Sequence, residues 1–175
     1  MKLKKLLALA LAGVLMLALL TGCSGGGSTA EDRFIAEGVA DIFKRIYPNT
    51  EVSYSVPALP RTIRPAFTPD WFQKDGEGNI YGLDRDFLTD SGLPLDGFLK
   101  ESLKAYAQCN YVSFIAFDST GMSAREQAEK FASGAPSLPL YSSGASPTAS
   151  TKLYVGVRHK TVEGREYCLM VVVRA

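Results

Sequence analysis

Apolar positions 35, 39, 42, 43 and 46 recur at the spacing of one helical face, which predicts a helix over Glu31–Ile46. Ser28 and Glu31 have the spacing of a capping box at its start, and Pro48 supplies a stop. The pattern then changes to period two. In "EVSYSV" (51–56), Val52, Tyr54 and Val56 alternate with polar residues, as in a half-buried strand. Pro57, Pro60 and Pro65 make "PALPRTIRPAF" an extended connector without regular structure, with Arg61 and Arg64 as solvated loop charges. "DWFQKDGEGNIYGLD" reads as a hairpin turning at "DGEGN", with Trp71, Phe72, Ile80 and Tyr81 on an apolar side. Leu95–Gln108 carries the helical stripe Phe98, Leu99, Leu103 and Tyr106.

"YVSFIAF" (111–117) is apolar at nearly every position, the pattern of a central strand. Ser123 and Glu126 form a capping-box pair that opens a short helix to about Phe131. The stretch 133–150, rich in Ser, Pro and Gly, is expected to be a long surface loop. "KLYVGVRHK" and "REYCLMVVVR" are two strands joined across "TVEG". These elements predict an α+β fold: an antiparallel sheet, two or three packed helices and a C-terminal β-hairpin, in a single domain over 31–175.

The N-terminal segment follows a different grammar. Lys2, Lys4 and Lys5 precede an uncharged apolar run over 6–20, too short for a comfortable membrane span and flanked by small neutral residues. This is the layout of a secretory signal peptide. Leu20-Thr21-Gly22-Cys23 resembles the bacterial lipobox. The resemblance implies cleavage by signal peptidase II after Gly22 and attachment of a diacylglycerol to the Cys23 sulfur, placing the protein on the extracytoplasmic face of a membrane, which in a cell with two membranes is compatible with the outer one. Residues 1–22 are then the lipoprotein signal peptide. Residues 23–30 are the lipidated cysteine and a Gly/Ser tether, "SGGGS" being a flexible composition. Two chains on one residue give stable anchoring where a single chain does not.

The formal charge is +1, and three of the basic residues lie in the signal segment, so the remainder has a small acidic excess. That balance excludes an electrostatic case for nucleic acid. Once Cys23 carries lipid, Cys109 and Cys168 remain; a disulfide between them is permitted outside the cytoplasm, and the sequence leaves it open.

Chemistry is sparse. With Glu163-Gly164 as a two-residue turn, the terminal hairpin opposes His159 to Cys168, Val157 to Met170 and Val155 to Val172. Cross-strand side chains lie about 5 Å apart. The only histidine could therefore activate a thiol, making Cys168 and His159 the catalytic candidates. On the other face Lys152, Tyr154, Arg158 and Lys160 align at period two and could meet an anionic polymer or headgroup. Asp75, Glu77, Asn79 and Asp86 fall at calcium-loop spacing, but Ile80 stands where the motif needs glycine, and a solvated turn is the better reading. No metal site, cofactor motif, phosphate loop or nucleophile elbow is found.

"FDSTGMSAREQAEKF" and "TKLYVGVRHKTVEGREYCLMVVV" resemble the Phe-Ser-His segment with its following helix, and the closing strands, of the CAP (SCP-type) superfamily. Asp118 and Ser119 stand where that family has its first histidine, and the segment carrying its second has no counterpart. The resemblance thus implies a degenerate member without the metal-binding groove. The expectation from the sequence is a lipid-anchored extracytoplasmic protein with a non-catalytic binding or structural role, its partners the membrane and an envelope polymer or protein. The alternative is an envelope enzyme, a cell-wall hydrolase or a thiol enzyme using Cys168 and His159.

Overall fold

A computed structural model of the protein describes residues 29–144 and 151–175. The signal segment, most of the tether and Ser28 lie outside the described residues, as does the end of the Ser/Pro-rich stretch. Among the described residues no helix is long and apolar enough to cross a membrane.

The fold is α+β. A five-stranded mixed sheet runs in the order β1-β6-β7-β4-β5. Its members are β1 (Thr50–Ser53), β4 (Tyr111–Asp118), β5 (Ser137–Ser142), β6 (Thr151–Val162) and β7 (Arg165–Arg174). All pairings are antiparallel except β1 with β6, which is parallel. The hairpin register is the expected one: Val162 opposes Arg165, His159 opposes Cys168 and Val155 opposes Val172. Its turn is set by Glu163 (φ 51°) and Gly164 (φ 79°), both left-handed, the geometry that matches the twist of paired strands.

β4 and β7 are central and buried on both faces, which is why they read as continuous apolar runs. On one face α1 (Ala30–Ile46) and α3 (Ala124–Ala132) cover Ile115, Phe117, Val155, Val157, Cys168, Met170 and Val172. The opposite face, with Phe114, Leu138, Leu169 and Val171, is covered by α2 (Leu95–Ser102), the connector 56–67 and a small hairpin of β2 (Phe72–Lys74) and β3 (Ile80–Leu83). Burying both faces of one sheet is the physical reason that so short a chain forms a real core.

Several local expectations are corrected. The α1 cap is one residue later than expected: Thr29 accepts from the Asp32 amide, and the Asp32 carboxylate accepts from the Thr29 amide. The connector is not extended. Leu59–Ile63 forms a wide helical turn that runs into a single turn at Arg64–Ala66, because Pro60 and Pro65 occupy first-turn positions where no amide hydrogen is required. Leu59, Ile63 and Phe67 thereby reach the core. Gly156 of β6 allows this approach, since a Cβ there would lie 2.9 Å from the Val56 Cβ. In the small hairpin Trp71 and Phe72 are buried while Ile80 and Tyr81 are exposed. α2 ends at Ser102, and Lys104–Tyr106 continues only as a 3₁₀ turn. Finally, the stretch expected as loop contains β5, whose Leu138 and Leu140 face the core while Pro139 sits on the sheet edge.

Candidate functional site

His159 projects from β6 toward α1 and α3. Its Nδ1 lies 2.7 Å from Asp32 Oδ1, and its Nε2 lies 2.7 Å from Gln127 Oε1. Asp32 and Gln127 are almost fully buried. The helices supply these partners by their phase. Asp32 stands on the α1 stripe that also carries Ile35, Ala36, Val39 and Ala40, and Gln127 stands beside buried Ala128 on α3.

Donor and acceptor accounting favours one protonation state. Gln127 Nε2 donates to Glu31 Oε1 (3.2 Å) and to the Met122 carbonyl (3.3 Å), so its oxygen faces the imidazole. Flipping the amide would set its oxygen against two acceptors. Asp32 Oδ2 accepts from the Thr29 amide, and Oδ1 faces the ring. Both ring nitrogens are therefore placed to donate, an arrangement that favours the imidazolium form of His159 beside Asp32. Burial alone would lower the histidine pKa; the Asp32 hydrogen bond and charge, with Glu166 and Glu31 nearby, outweigh it and leave it raised. Arg158 Nη1 adds a weaker approach to Asp32 at 3.9 Å.

The register brings Cys168 opposite His159, but does not make it a nucleophile. The thiol is fully buried, and burial, with the Asp32, Glu31 and Glu166 charges, pushes its pKa well up. The imidazole is committed to other partners at both nitrogens. Cys109 and Cys168 are both free, because they pack on opposite sides of the sheet.

The four residues of the other β6 face do not form an open patch. Lys152 is exposed, but Tyr154 is half-buried against the Tyr106 ring (5.5 Å). Arg158 folds back to donate to the Val157 carbonyl, leaving its buried Nε without a partner. Lys160 Nζ donates to the Pro65 and Phe67 carbonyls, each at 2.7 Å, and Arg64, expected as a solvated charge, donates to the His159 carbonyl at 2.6 Å. The connector lies across this face: Lys160 satisfies two of its carbonyls, and its own Arg64 satisfies one of β6.

A cleft of about 510 Å³ opens at the turn end of the sheet, between the β2–β3 hairpin and the β6–β7 turn. Phe72, Ile80 and Val162 give it apolar walls; Asp70, Lys74, Asp118, Glu163 and Arg165 bring both signs of charge. Arg165 Nη1 meets Asp118 at 3.2 Å. Tyr167 stacks on Phe72 (6.0 Å between ring centres, 28°), and its ring is buried. Its hydroxyl makes no hydrogen bond to the described residues and opens onto the cleft.

No family model, curated protein or solved structure matches this chain. The segments that resemble the CAP superfamily lie on β4–α3 and on β6–β7. There Asp118 pairs with Arg165, and Ser119 is buried with its hydroxyl directed at the Glu166 carbonyl. Among the described residues no group of three or more His, Cys, Asp or Glu side chains could hold a metal. The acidic tip at Asp75 is a self-contained turn: its carboxylate accepts from the Glu77 and Asn79 amides and the Asn79 side chain.

Sequence reasoning identified His159 but missed both of its partners, and it missed the cleft. Asp32 carried the one usable signal, a carboxylate on the apolar stripe of an amphipathic helix. The cleft is built from three separate turns, and no local pattern marks it.

Proposed function

We propose that this chain is a lipid-anchored protein of the extracytoplasmic membrane face, whose domain has a non-catalytic binding role in the cell envelope. The observation that carries the reading is Leu20-Thr21-Gly22-Cys23 after a basic, apolar leader. The capped start of α1, at Thr29, comes directly after the Gly/Ser stretch of the sequence, as suits an anchored domain on a short tether. Six residues span at most about 20 Å, so the anchor holds the domain near the bilayer. Burial of the Cys168 thiol and the double engagement of His159 favour binding over the rival reading, a thiol enzyme. The degenerate CAP-type assignment remains compatible with this role, resting on the two quoted segments.

Expression of the full chain in a bacterium with labelled palmitate tests the anchor. The expected result is label on the wild type, none on Cys23→Ser, and accumulation of unprocessed precursor when signal peptidase II is inhibited. A wild-type chain that is processed but unlabelled would reject lipidation.

A further inference from the structure

The cleft at the turn end has the attributes of a ligand site. Its volume lies in the range of small-molecule pockets, and it combines apolar walls with a few convergent polar groups. A second observation points to an occupant. Tyr167 is 95% buried by accessible area, at 5% exposure, yet its hydroxyl is unpaired in the protein and lies in the field of Asp118, Arg165 and Glu163, all cleft residues. The ring is enclosed while the hydroxyl opens onto the cleft, which leaves its donor and acceptor free for a ligand there.

Glu163 adds a third. The two-residue turn it forms with Gly164 favours Asn at its first position, because that position has a left-handed backbone. A glutamate there keeps a carboxylate on the cleft rim at a local conformational cost.

The charges select the ligand. Glu163 and Asp70 offer acceptors, while Lys74 and the remaining guanidinium edge of Arg165 offer donors. Asp118 is engaged by Arg165, and carboxylates of Asp70 and Glu163 remain beside the cations, so a simple anion or a simple cation would each meet like charge in part of the site. We infer that the cleft binds a zwitterion in which a primary ammonium and an anionic group are joined by a short spacer. The ammonium is held by Glu163 and the Tyr167 oxygen, and the anion by Arg165 and Lys74. Carboxylate acceptors favour a primary ammonium, which donates hydrogen bonds, over a quaternary one.

The same chemistry has two sources, a free soluble zwitterion or a phosphoethanolamine lipid headgroup. α1 starts at the same end of the sheet, since Asp32 meets His159 close to the β6–β7 turn. The headgroup as source rests on the proposed lipid anchor, which would hold this end toward the bilayer; the site itself does not.

The test uses the full chain in non-ionic detergent, titrated calorimetrically with O-phosphoethanolamine, then with phosphocholine. Saturable heat is expected for the first, and binding at least tenfold weaker for the second. Tyr167→Phe removes only an unpaired hydroxyl, so it should melt like the wild type yet bind at least tenfold more weakly; Glu163→Gln should weaken binding similarly. The chain is then placed in phosphatidylethanolamine or phosphatidylcholine vesicles and titrated again. Loss of the soluble probe's heat only in the first vesicles identifies the headgroup as the source; equal heat in both identifies a soluble ligand. Absence of saturable binding up to about 10 mM, or a Tyr167→Phe variant that binds like the wild type, overturns the proposal. Cys23 acylation, read by mass, is independent: an unlabelled chain that still binds the probe would refute the anchor and leave the cleft standing.

Discussion

His159 and Asp32, 127 residues apart in the chain, are joined by a 2.7 Å contact between Nδ1 and a carboxylate oxygen. That contact ties the first turn of α1 to β6. Gln127 on the far side of the ring extends the tie to α3. Three elements that otherwise meet mainly through apolar packing thus acquire a charged, directional link, to which the Gln127–Glu31 contact adds a second tie between the helices. In a largely apolar interior, such a link fixes the helix positions more narrowly than hydrophobic contact does.

The first prediction is a pH dependence of stability. The histidine pKa is raised in the folded state, so the folded protein holds the proton more tightly than the unfolded chain. The resulting stabilisation is fully present below the unfolded value of about 6.5 and is lost as pH rises through the raised folded value. The melting temperature should therefore fall as pH rises above about 6.5, and His159→Gln should flatten that slope. Thermal melts between pH 6 and 9 check this, and the imidazole resonance of the only histidine reports its pKa directly. A wild-type slope no steeper than that of His159→Gln would show that the ring is not charged in the fold.

The second concerns the carboxylate. Asp32→Asn leaves the imidazolium buried without its counter-charge and weakens the α1 cap. Removing one member of a buried pair typically costs about 3–5 kcal/mol. Urea denaturation at pH 6 should show a loss of that order, and the histidine pKa should drop. A loss of less than about 1 kcal/mol would mean that Asp32 acts only as a surface-type cap.

Much of this architecture is legible in the residues, for reasons of scale. The α1 stripe, the Ser123–Glu126 cap and the register of the terminal hairpin depend on spacings within one element or across one turn. The connector 57–67 misleads because prolines break helices in their interiors yet suit first turns, and the sequence does not state which position they occupy. β5 is masked by its Ser/Pro composition, although Leu138 and Leu140 preserve the strand alternation. The Gln127–His159 link is invisible because a buried amide has no periodic signature, and the cleft because its walls come from residues about 90 positions apart.

The third prediction addresses the thiols. Cys168 is fully buried with a raised pKa, whereas Cys109 is partly exposed and only raised by burial. With an aromatic disulfide reagent at pH 7.5, Cys109 should react first and Cys168 only on unfolding. In denaturant both should react at similar rates. Rapid labelling of Cys168 in the native protein, quenched in His159→Gln, would instead restore the thiol-enzyme reading.

The last prediction separates stability from function at one residue. Glu163 holds φ at 51° in a turn whose second residue, Gly164, is also left-handed. Side chains other than glycine and asparagine enter that region at a cost of about 1 kcal/mol or more. Asparagine suits the position because its short amide tolerates the left-handed region. Glu163→Asn should therefore raise stability by about 0.5–1 kcal/mol, seen as a higher urea midpoint at unchanged slope. It should also shorten the side chain on the cleft rim and weaken binding of the zwitterionic probe. Greater stability with weaker binding is the signature of a residue kept for the cleft rather than for the turn. A variant that gains stability and binds as well as the wild type would assign Glu163 no part in recognition.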